Sequence, residues 1–243
     1  VDVAFTGGTA AGGSDYDATT LTAAFGPTDA SVNVTVPIHA DDLAEPSETI
    51  VATLQNLGGA VAAEATISGQ TTKTITISAN DPFDVFFSAA TDTVAEPGTT
   101  TNRVITVSRT AGIEGAFTVD VAFTGGTAAG GSDYDATTLT AAFGPTDASV
   151  NVTVPIHADD LAEPSETIVA TLQNLGGAVA AEATISGQTT KTITISANDP
   201  FDVFFSAATD TVAEPGTTTN RVITVSRTAG IEGAFTVDVA FTG

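Results

Sequence analysis

The side chains of this 243-residue sequence that are best suited to binding or catalysis are its carboxylates, and they gather in a few short segments. One segment runs from Asp159 to Glu166 as Asp-Asp-Leu-Ala-Glu-Pro-Ser-Glu, and another places Asp133 and Asp135 on either side of a tyrosine. Cysteine is absent and there are only two histidines, so sulfur and nitrogen ligands are scarce. Hard oxygen donors select Ca²⁺ over zinc or copper, and Mg²⁺ fits less well because it demands a tighter octahedron. The residue types therefore predict calcium binding.

The acidic segments occur in more than one copy because the sequence repeats itself every 118 residues. Residues 1–7 read Val-Asp-Val-Ala-Phe-Thr-Gly, and the same seven letters return at 119–125 and at 237–243. Identity at a fixed period is typical of arrays in which each unit contacts only its neighbours. Repetition of this kind favours a structural or adhesive role over catalysis, because an active site is a single optimised constellation.

The composition narrows the range of partners. The formal net charge is −23, from 29 acidic and 6 basic residues. Nucleic-acid binding by counterion release and adsorption to anionic lipid both need clustered Lys and Arg, so both are disfavoured. No disulfide can form without cysteine, and no apolar run of about 18 residues predicts membrane insertion. The absence of methionine indicates that the sequence lacks its own translation start and belongs to a longer chain.

Alternation of apolar and polar residues predicts strands along most of the sequence. In one period we predict seven strands, near 84–88, 102–109, 116–124, 138–143, 149–157, 167–173 and 189–197. Seven short antiparallel strands in about 115 residues are typical of an immunoglobulin-like sandwich. The predicted fold is therefore all-β, a linear array of tandem seven-stranded immunoglobulin-like β-sandwiches. The helix-like stretch 178–183 lies between Gly-rich ends and is predicted to be a loop.

The period divides the sequence into one complete repeat and two partial ones. We predict a complete repeat at 83–200, the C-terminal part of a repeat at 1–82 and the N-terminal part of a repeat at 201–243. This arrangement fits a segment of a longer repetitive chain. It also fits strand complementation, in which the C-terminal part of one chain completes the N-terminal part of the next. A head-to-tail contact of that kind does not close and would produce a fibre.

The order of the predicted strands brings the acidic segments to one end of each sandwich. Antiparallel strands alternate in direction, so the connections after the first, third and fifth strands share an end with the exit from the seventh. In the complete repeat those connections carry Glu96, Asp133, Asp135, Asp159, Asp160, Glu163, Glu166, Asn198 and Asp199. Eight carboxylates on one rim would repel one another unless a cation compensates their charge. The alternative is an acidic rim that is simply solvated.

These segments resemble the Calx-beta domain, a family named for calcium-binding repeats of sodium/calcium exchangers. The matching pieces are Val94-Ala95-Glu96, Gly131-Ser132-Asp133-Tyr134, Asp159-Asp160 with Glu163-Pro164-Ser165-Glu166, and Asn198-Asp199. The resemblance implies an immunoglobulin-like sandwich that binds calcium at one end, near the junction with the next domain. It implies ligands at Glu96, Asp133, Asp159, Asp160, Glu163, Glu166 and Asp199. Asn198 departs from the family pattern, in which the strongest calcium binders have a further aspartate.

The partial repeats contain parts of the same acidic set. The first contains Asp15, Asp17, Asp41, Asp42, Glu45, Glu48, Asn80 and Asp81, but lacks the glutamate of the first loop. The third contains that glutamate, as Glu214, without the remaining ligands.

Two features have the residue types of catalytic sites, and neither predicts an enzyme. Glu163 and Glu166 could form a glycosidase acid/base pair, but three residues apart in one acidic loop they are better suited to sharing an ion. His157, near Ser132 and Asp159, has the types of a catalytic triad, but nothing fixes a nucleophile there, and we expect it to be exposed.

The resulting hypothesis is a structural repeat segment of an extracellular fibre or giant surface adhesin of bacterial origin, stiffened by calcium at the junctions between domains. Its predicted partner is itself, head to tail, as a covalent array or as fibre subunits. Any surface ligand would bind domains outside this sequence. Two alternatives stay open, a calcium-sensing regulatory module and an adhesin module that itself binds a ligand. Identity between repeats argues against the first, and the absence of Trp argues against the second.

Overall fold

The alternating sequence forms strands wherever a neighbouring strand is available to pair with. The computed structural model describes residues 1–110, 112–113, 115–214, 216–228, 230–231 and 233–242. We refer to residues 1–82, 83–200 and 201–243 as the first, central and third units. Within the described ranges, no helix has the length and apolar character needed to cross a membrane.

The strands are numbered in chain order. The first unit contains β1 (Asp2–Gly8), β2 (Leu21–Thr22), β3 (Leu43–Ala44), β4 (Glu48–Gln55) and β5 (Thr72–Ile77), with a short 3₁₀ helix at Ala62–Glu64. The central unit contains β6 (Phe83–Phe87), β7 (Thr91–Ala95), β8 (Thr101–Arg109), β9 (Gly112–Ile113), β10 (Phe117–Gly126), β11 (Leu139–Phe143), β12 (Ser149–Ile156), β13 (Leu161–Ala162), β14 (Glu166–Gly177), β15 (Ala183–Ile185) and β16 (Thr190–Ser196). The third unit contains β17 (Val203–Phe205), β18 (Val225–Arg227) and β19 (Gly230–Ile231).

The central unit is a sandwich of two sheets. One sheet has the strand order β11-β10-β14-β16-β7, and the other has the order β12-β8-β6-β15. Inward-facing side chains from both sheets form a single core, whose fully buried members include Val85, Phe87, Ile105, Phe117, Val121, Ile156, Ile168 and Ile193. Each fully buried side chain of this size stabilises the fold by about 1.5–3 kcal/mol. The all-β sandwich predicted from the alternating pattern is confirmed.

All seven predicted strands are present, and the central unit has four further short strands that the sequence pattern did not predict, β7, β9, β13 and β15. β7 joins the sheet edge in parallel with β16, and β15 pairs in parallel with β6. In β7 the half-buried Asp92 shares a face with the half-buried Val94. An acidic residue therefore occupies an inward position, and the sequence of β7 lacks the alternation of apolar and polar residues that predicts a strand. The stretch 178–182 forms turns rather than a helix, and β15 begins directly after it.

The first and third units show how strongly each strand depends on its partner. In the first unit β1 pairs with β4 in the register of the central unit, so that Phe5 opposes Ala52 as Phe123 opposes Ala170. Residues 31–38 have the same sequence as β12, yet they form no strand because no counterpart of β8 lies beside them. An unpaired extended segment leaves its backbone donors and acceptors without protein partners, so the ladder forms only when both strands are present.

Consecutive units are joined by short parallel strand pairs. β3 of the first unit pairs with β9 of the central unit, where Leu43 opposes Gly112, and β13 pairs with β19 in the same way. Ala44 is 0% exposed and belongs to the hydrophobic core of the central unit. A Cβ atom added to Gly112 would lie 2.5 Å from Cδ2 of Leu43, so a side chain there would force the leucine side chain to move. The junction is therefore a packed interface between units.

Candidate metal centre

Five chain segments end at one pole of the central unit and bring acidic side chains to it. Glu96 follows β7, Asp133 lies in the loop after β10, and Asp159 follows β12. Glu163 lies between β13 and β14, and Asp199 follows β16. Since β7 and β16 are paired in parallel, their C-terminal ends meet, and the two acids that follow them are delivered to the same place.

The loop that carries Asp133 is shaped by a glycine and a buried tyrosine. Gly126 has a φ of +116°, and a Cβ there would lie 2.0 Å from the carbonyl oxygen of Thr167, so only glycine fits. Tyr134 is buried and packs edge-to-face against Phe123, with ring centroids 5.3 Å apart. These contacts hold the residue next to Asp133 in the core and leave the carboxylate at the pole.

Three of the carboxylates lie close enough together to share one ion. Asp133, Asp159 and Glu163 each place an oxygen within 4.8 Å of the other two. Glu96 and Glu166 line the same cavity, whose volume is ≈ 10 Å³. That is about the space that a single water molecule or small ion occupies.

Glu96 is the most buried acid of this group, with 8% of its surface exposed. Burial, followed by the hydrogen bond and charge of Asp199 and the charge of Asp159, raises the pKa of Glu96 to about 7. Oδ2 of Asp199 is itself buried and has no hydrogen-bond partner within the described part of the chain. An unsatisfied buried carboxylate oxygen is costly, and a cation would supply the missing interaction.

The first unit contains an open version of the same site. Asp15, Glu45 and Glu48 have oxygens within 4.8 Å of one another. Their cavity, which Asp41, Asn80 and Asp81 also line, has a volume of ≈ 360 Å³. It is wider than its counterpart because no segment equivalent to β7 covers it in the first unit.

Two predicted ligands are engaged in local turns rather than in the cluster. Asp135 accepts hydrogen bonds from the backbone and hydroxyl of Thr137, and Asp17 does the same with Thr19. These bonds lower the pKa of both carboxyls and stabilise the turn after the Asp133 loop and its counterpart.

The remaining predicted ligands lie at the margin of the site. Asp160 and Asp42 are exposed, and Glu214 is exposed in the third unit. Asn198 donates its side-chain amide to the carbonyl oxygen of Glu96, so one function of this amide is to fix the backbone beneath that glutamate.

His157 lines the cavity, although the sequence predicted only an exposed histidine. Its backbone N–H donates to the carbonyl oxygen of Asp133 at 2.8 Å, and its Nδ1 lies 2.8 Å from the carbonyl oxygen of Ser132. The residue therefore holds the Asp133 loop against the end of β12. Its position at the end of a predicted strand and two residues before Asp159 is the signal that could have identified it.

The donor set fits Ca²⁺. Carboxylates from separate loops surround a cavity with room for one ion, and a buried oxygen beside it lacks a donor. Calcium takes 6–8 oxygen ligands in flexible geometry, which mono- and bidentate carboxylates with loop carbonyls can supply. Without thiolates, and with the one nearby imidazole turned to a backbone carbonyl, softer metals are poorly matched.

Comparison with known proteins agrees with this architecture. The sequence matches the family model of the Calx-beta domain over residues 1–81 and again over 78–198. The structure of an apo-form Calx CBD1 domain is similar at 20% identity, covering 48% of this chain and 98% of that chain with a TM-score of 0.44. The calcium binding domain CBD12 of CALX1.1 is similar at 22% identity, covering 49% of each chain with a TM-score of 0.42.

CBD12 from CALX1.2 is similar at 21% identity, covering 46% of this chain and 43% of that chain with a TM-score of 0.41. The chain thus spans about half the length of the CBD12 structures it matches. No curated protein matches the sequence.

Proposed function

The chain belongs to the Calx-beta domain family, and we propose that it is a structural repeat segment of an extracellular fibre or giant surface adhesin, stiffened by calcium where one repeat meets the next. One observation supports this proposal above all others. β13, which pairs with β19 of the third unit, lies between Asp159 and Glu163 in the acidic loop. The segment that would bind the ion is therefore the segment that docks the following repeat.

Calcium would act on the junction through the two ends of β13. An ion shared by Asp133, Asp159 and Glu163 would tie the residues before and after β13 to the loop of β10. When both ends of so short a strand are fixed, the strand loses less conformational entropy on pairing with the next repeat. The first unit has the same arrangement, since β3 lies between Asp42 and Glu45.

Without an ion, the same site would loosen the junction. Ionised carboxylates within 4.8 Å of one another repel, and the raised pKa of Glu96 reflects the cost of charge at this pole. The acidic loop would relieve the repulsion by opening towards solvent, which withdraws β13 from its partner. Calcium would thus convert a hinged array into an extended one.

The proposed setting is the outside of a bacterial cell, where calcium is abundant. Extracellular modules of this kind bind calcium with dissociation constants of roughly 10⁻⁴–10⁻³ M, which matches millimolar calcium. The charge of −23 keeps such an array soluble and well separated from anionic surfaces. Its partner would be a further repeat, head to tail, in one chain or between fibre subunits. We propose no catalytic role.

A calcium titration of the central site, with a matched control, tests the proposal. Asp159→Asn removes a cluster charge, whereas Glu182→Gln removes one charge from the 180–182 turn and serves as the control. For the unaltered chain and the control we expect 5 mM calcium to raise the melting temperature and lengthen the particle in small-angle scattering. For Asp159→Asn the part of both responses that comes from the central site should be lost or need about tenfold more calcium, while the site of Asp15, Glu45 and Glu48 still responds. Identical scattering and melting of the unaltered chain in calcium and in EDTA would contradict the proposal.

A calcium-sensing regulatory module is the second candidate. The observation that favours it is the raised pKa of Glu96, because a site with unfavourable charge in the ion-free fold is suited to a conformational response. The same titration distinguishes the two functions. A midpoint near 1 μM with a large change in shape would favour sensing, and a midpoint near 1 mM with simple stiffening would favour the structural role.

A further inference from the structure

One long strand edge of the central unit is left open by the part of the chain that the structure describes. β12 lies at the margin of its sheet and pairs along its length with β8 on one side. A strand at a sheet margin presents backbone N–H and C=O groups that can pair with a further strand. The contacts at the two ends of β12 determine which of its residues present those groups.

Alternate residues of β12 direct their backbone groups away from β8. At the start of the strand the carbonyl oxygen of Ala148 accepts a hydrogen bond from the N–H of Arg109 at the end of β8. At the other end the carbonyl oxygen of Pro155 accepts from the N–H of Asp135, in the loop that borders the opposite side of β12. Even-numbered residues therefore face β8 and odd-numbered residues face the open side, because both backbone groups of a residue point the same way in an antiparallel pair. The odd-numbered residues that lie on the open edge before this loop are Ser149, Asn151 and Thr153.

This edge is polar and uncharged in a chain whose net charge is −23. The side chains of Ser149, Asn151 and Thr153 are exposed. Oδ1 of Asn151 accepts the hydroxyl hydrogen of Thr106 at 2.7 Å, which leaves the NH₂ group of this amide to donate elsewhere. Two copies of so acidic a chain repel one another over most of their surfaces, and this edge is a place where they can approach without opposing like charges.

The other three edges of the sandwich are less suited to further pairing. β15 has three residues, and β7 and β11 have five each. β7 also contains the inward-facing Asp92, and short strands and inward charges both discourage pairing at an edge. β12 has eight residues, and its own protective feature is Pro155, whose missing N–H ends the usable edge at residue 153.

We propose that residues 149–153 of β12 pair antiparallel with the same residues of a second copy of this chain, about a two-fold axis that passes beside Asn151. In this register Asn151 opposes the Asn151 of the second copy, and Ser149 opposes Thr153. Every N–H group of these three residues then donates to a C=O group of the other copy. A two-fold contact uses the same surface on both molecules, so an edge that is complementary to itself selects another copy as its partner.

The pairing joins two four-stranded sheets into one continuous sheet. It stops at the loop of Asp135 on one side and at the turn 144–148 on the other, so one pair of edges is a small and weak interface. In the array proposed above the same edge would recur with the period of 118 residues, and each further pairing would be intramolecular. That consequence for arrays rests on the proposed function, whereas the pairing of two central units involves neither the acidic pole nor the junction between units.

Single cysteines test the pairing in EDTA, because the chain has no cysteine of its own. Asn151→Cys should form a symmetric disulfide dimer on mild oxidation, since opposed residues of a hydrogen-bonded pair have Cα atoms about 5.5 Å apart. Thr184→Cys is the matched control, an exposed position on β15 at the opposite edge of the same sheet. At about 100 μM chain the control should cross-link at least tenfold more slowly, because pairing raises the effective thiol concentration to about 1 mM or more. Equal rates for the two variants would overturn the proposal, whichever other strand the edge accepts.

A mixture of Ser149→Cys and Thr153→Cys chains tests the register. The two substituted positions oppose each other in the mixed pair, so the mixture should form a heterodimer. Either variant by itself should form about tenfold less disulfide, because four residues of strand, about 13 Å, separate its two thiols. Cross-linking of Ser149→Cys with itself at the rate of the mixture would refute the antiparallel register.

A proline on the open edge tests whether backbone hydrogen bonds hold the two copies together. Thr153→Pro removes an N–H that faces away from β8, as Pro155 already does two residues later, so the melting temperature should stay within a few degrees. Combined with Asn151→Cys, it should slow cross-linking to the rate of Thr184→Cys, whereas Thr153→Ala, which keeps the N–H, should not. Unchanged cross-linking by a folded Thr153→Pro chain would contradict the proposal, and if that variant does not fold, the mixture of Ser149→Cys and Thr153→Cys decides.

Discussion

Replacing Glu96 by glutamine should stabilise the ion-free protein and weaken its response to calcium. Glu96 is 8% exposed and has a pKa of about 7, compared with an ordinary value of 4.5. Each pH unit of that difference corresponds to 1.36 kcal/mol, so ionising the carboxyl in the ion-free fold costs about 3 kcal/mol. Glutamine has no charge to bury, and its amide can still donate a hydrogen bond to Asp199.

The size of the stabilisation by Glu96→Gln depends on pH in a defined way. The folded-state pKa lies above the unfolded one, so the folded protein binds more protons between pH 4.5 and about 7 and loses stability as the pH rises through that range. At pH 8 in EDTA, Glu96→Gln should raise the free energy of unfolding by about 3 kcal/mol. At pH 4.5 the same change should have an effect of less than about 0.5 kcal/mol.

Urea unfolding followed by circular dichroism measures these differences, with Glu182→Gln as the matched control outside the acidic pole. In 10 mM calcium at pH 8 the order should reverse, because the unaltered protein gains stability from the bound ion and the variant loses one oxygen ligand. A variant that is less stable than the unaltered protein in EDTA at pH 8 would show that the charge of Glu96 does not destabilise the ion-free fold. So would a gain in stability that is the same at pH 4.5 and pH 8.

Three further substitutions test the junction and the scaffold. Gly112→Val should separate the first and central units by clashing with Leu43, so small-angle scattering should show a broader range of shapes while calcium still binds the central site. Asp92→Asn should lower the free energy of unfolding by about 1–2 kcal/mol, because a partly exposed ion pair with Arg103 is lost. Since Arg103 lowers the pKa of Asp92, this contribution is present above about pH 4 and disappears as the pH falls through the lowered pKa. Gly126→Ala should cost about 3 kcal/mol or more in urea unfolding, from strain at positive φ and a clash with the neighbouring backbone.

The chain provides controls for these changes. Gly125→Ala adds a methyl group with nothing within 4 Å, so it should leave stability and scattering unchanged. An unchanged scattering profile for Gly112→Val, or a stable Gly126→Ala, would show that the close approaches described at those glycines are not required. Equal acid unfolding of Asp92→Asn and the unaltered protein would contradict the role given to the Asp92–Arg103 pair.

Much of the fold follows from local sequence. Alternation such as that of Phe117, Val119 and Val121 determines which faces are buried, and the order of antiparallel strands then carries Asp133 and Asp159 to one pole. The position of Asp135 in a local turn could also have been anticipated, because a threonine two residues after an aspartate favours such a turn.

What the sequence does not reveal depends on contacts between distant residues. β7 contains an inward-facing acid whose partners, Arg103 and Lys191, lie in other strands, so its pattern does not resemble a strand by itself. The burial of Glu96 arises from the parallel pairing of β7 with β16. β13 has only two residues, and it is a strand only because the next repeat supplies a partner for it.

The distance between adjacent units, measured as a function of calcium, shows directly whether calcium stiffens the junction. Spin labels on Thr28→Cys and Thr153→Cys, both exposed positions in a chain without cysteine, report the distance across the first junction when the labelled chain is diluted in unlabelled chain. We expect a narrow distance distribution in 5 mM calcium and a broad one in EDTA, and we expect the broad distribution to persist in calcium when Asp15 and Glu45 are replaced by their amides. Distributions of equal width in calcium and in EDTA would contradict the stiffening of the junction by calcium.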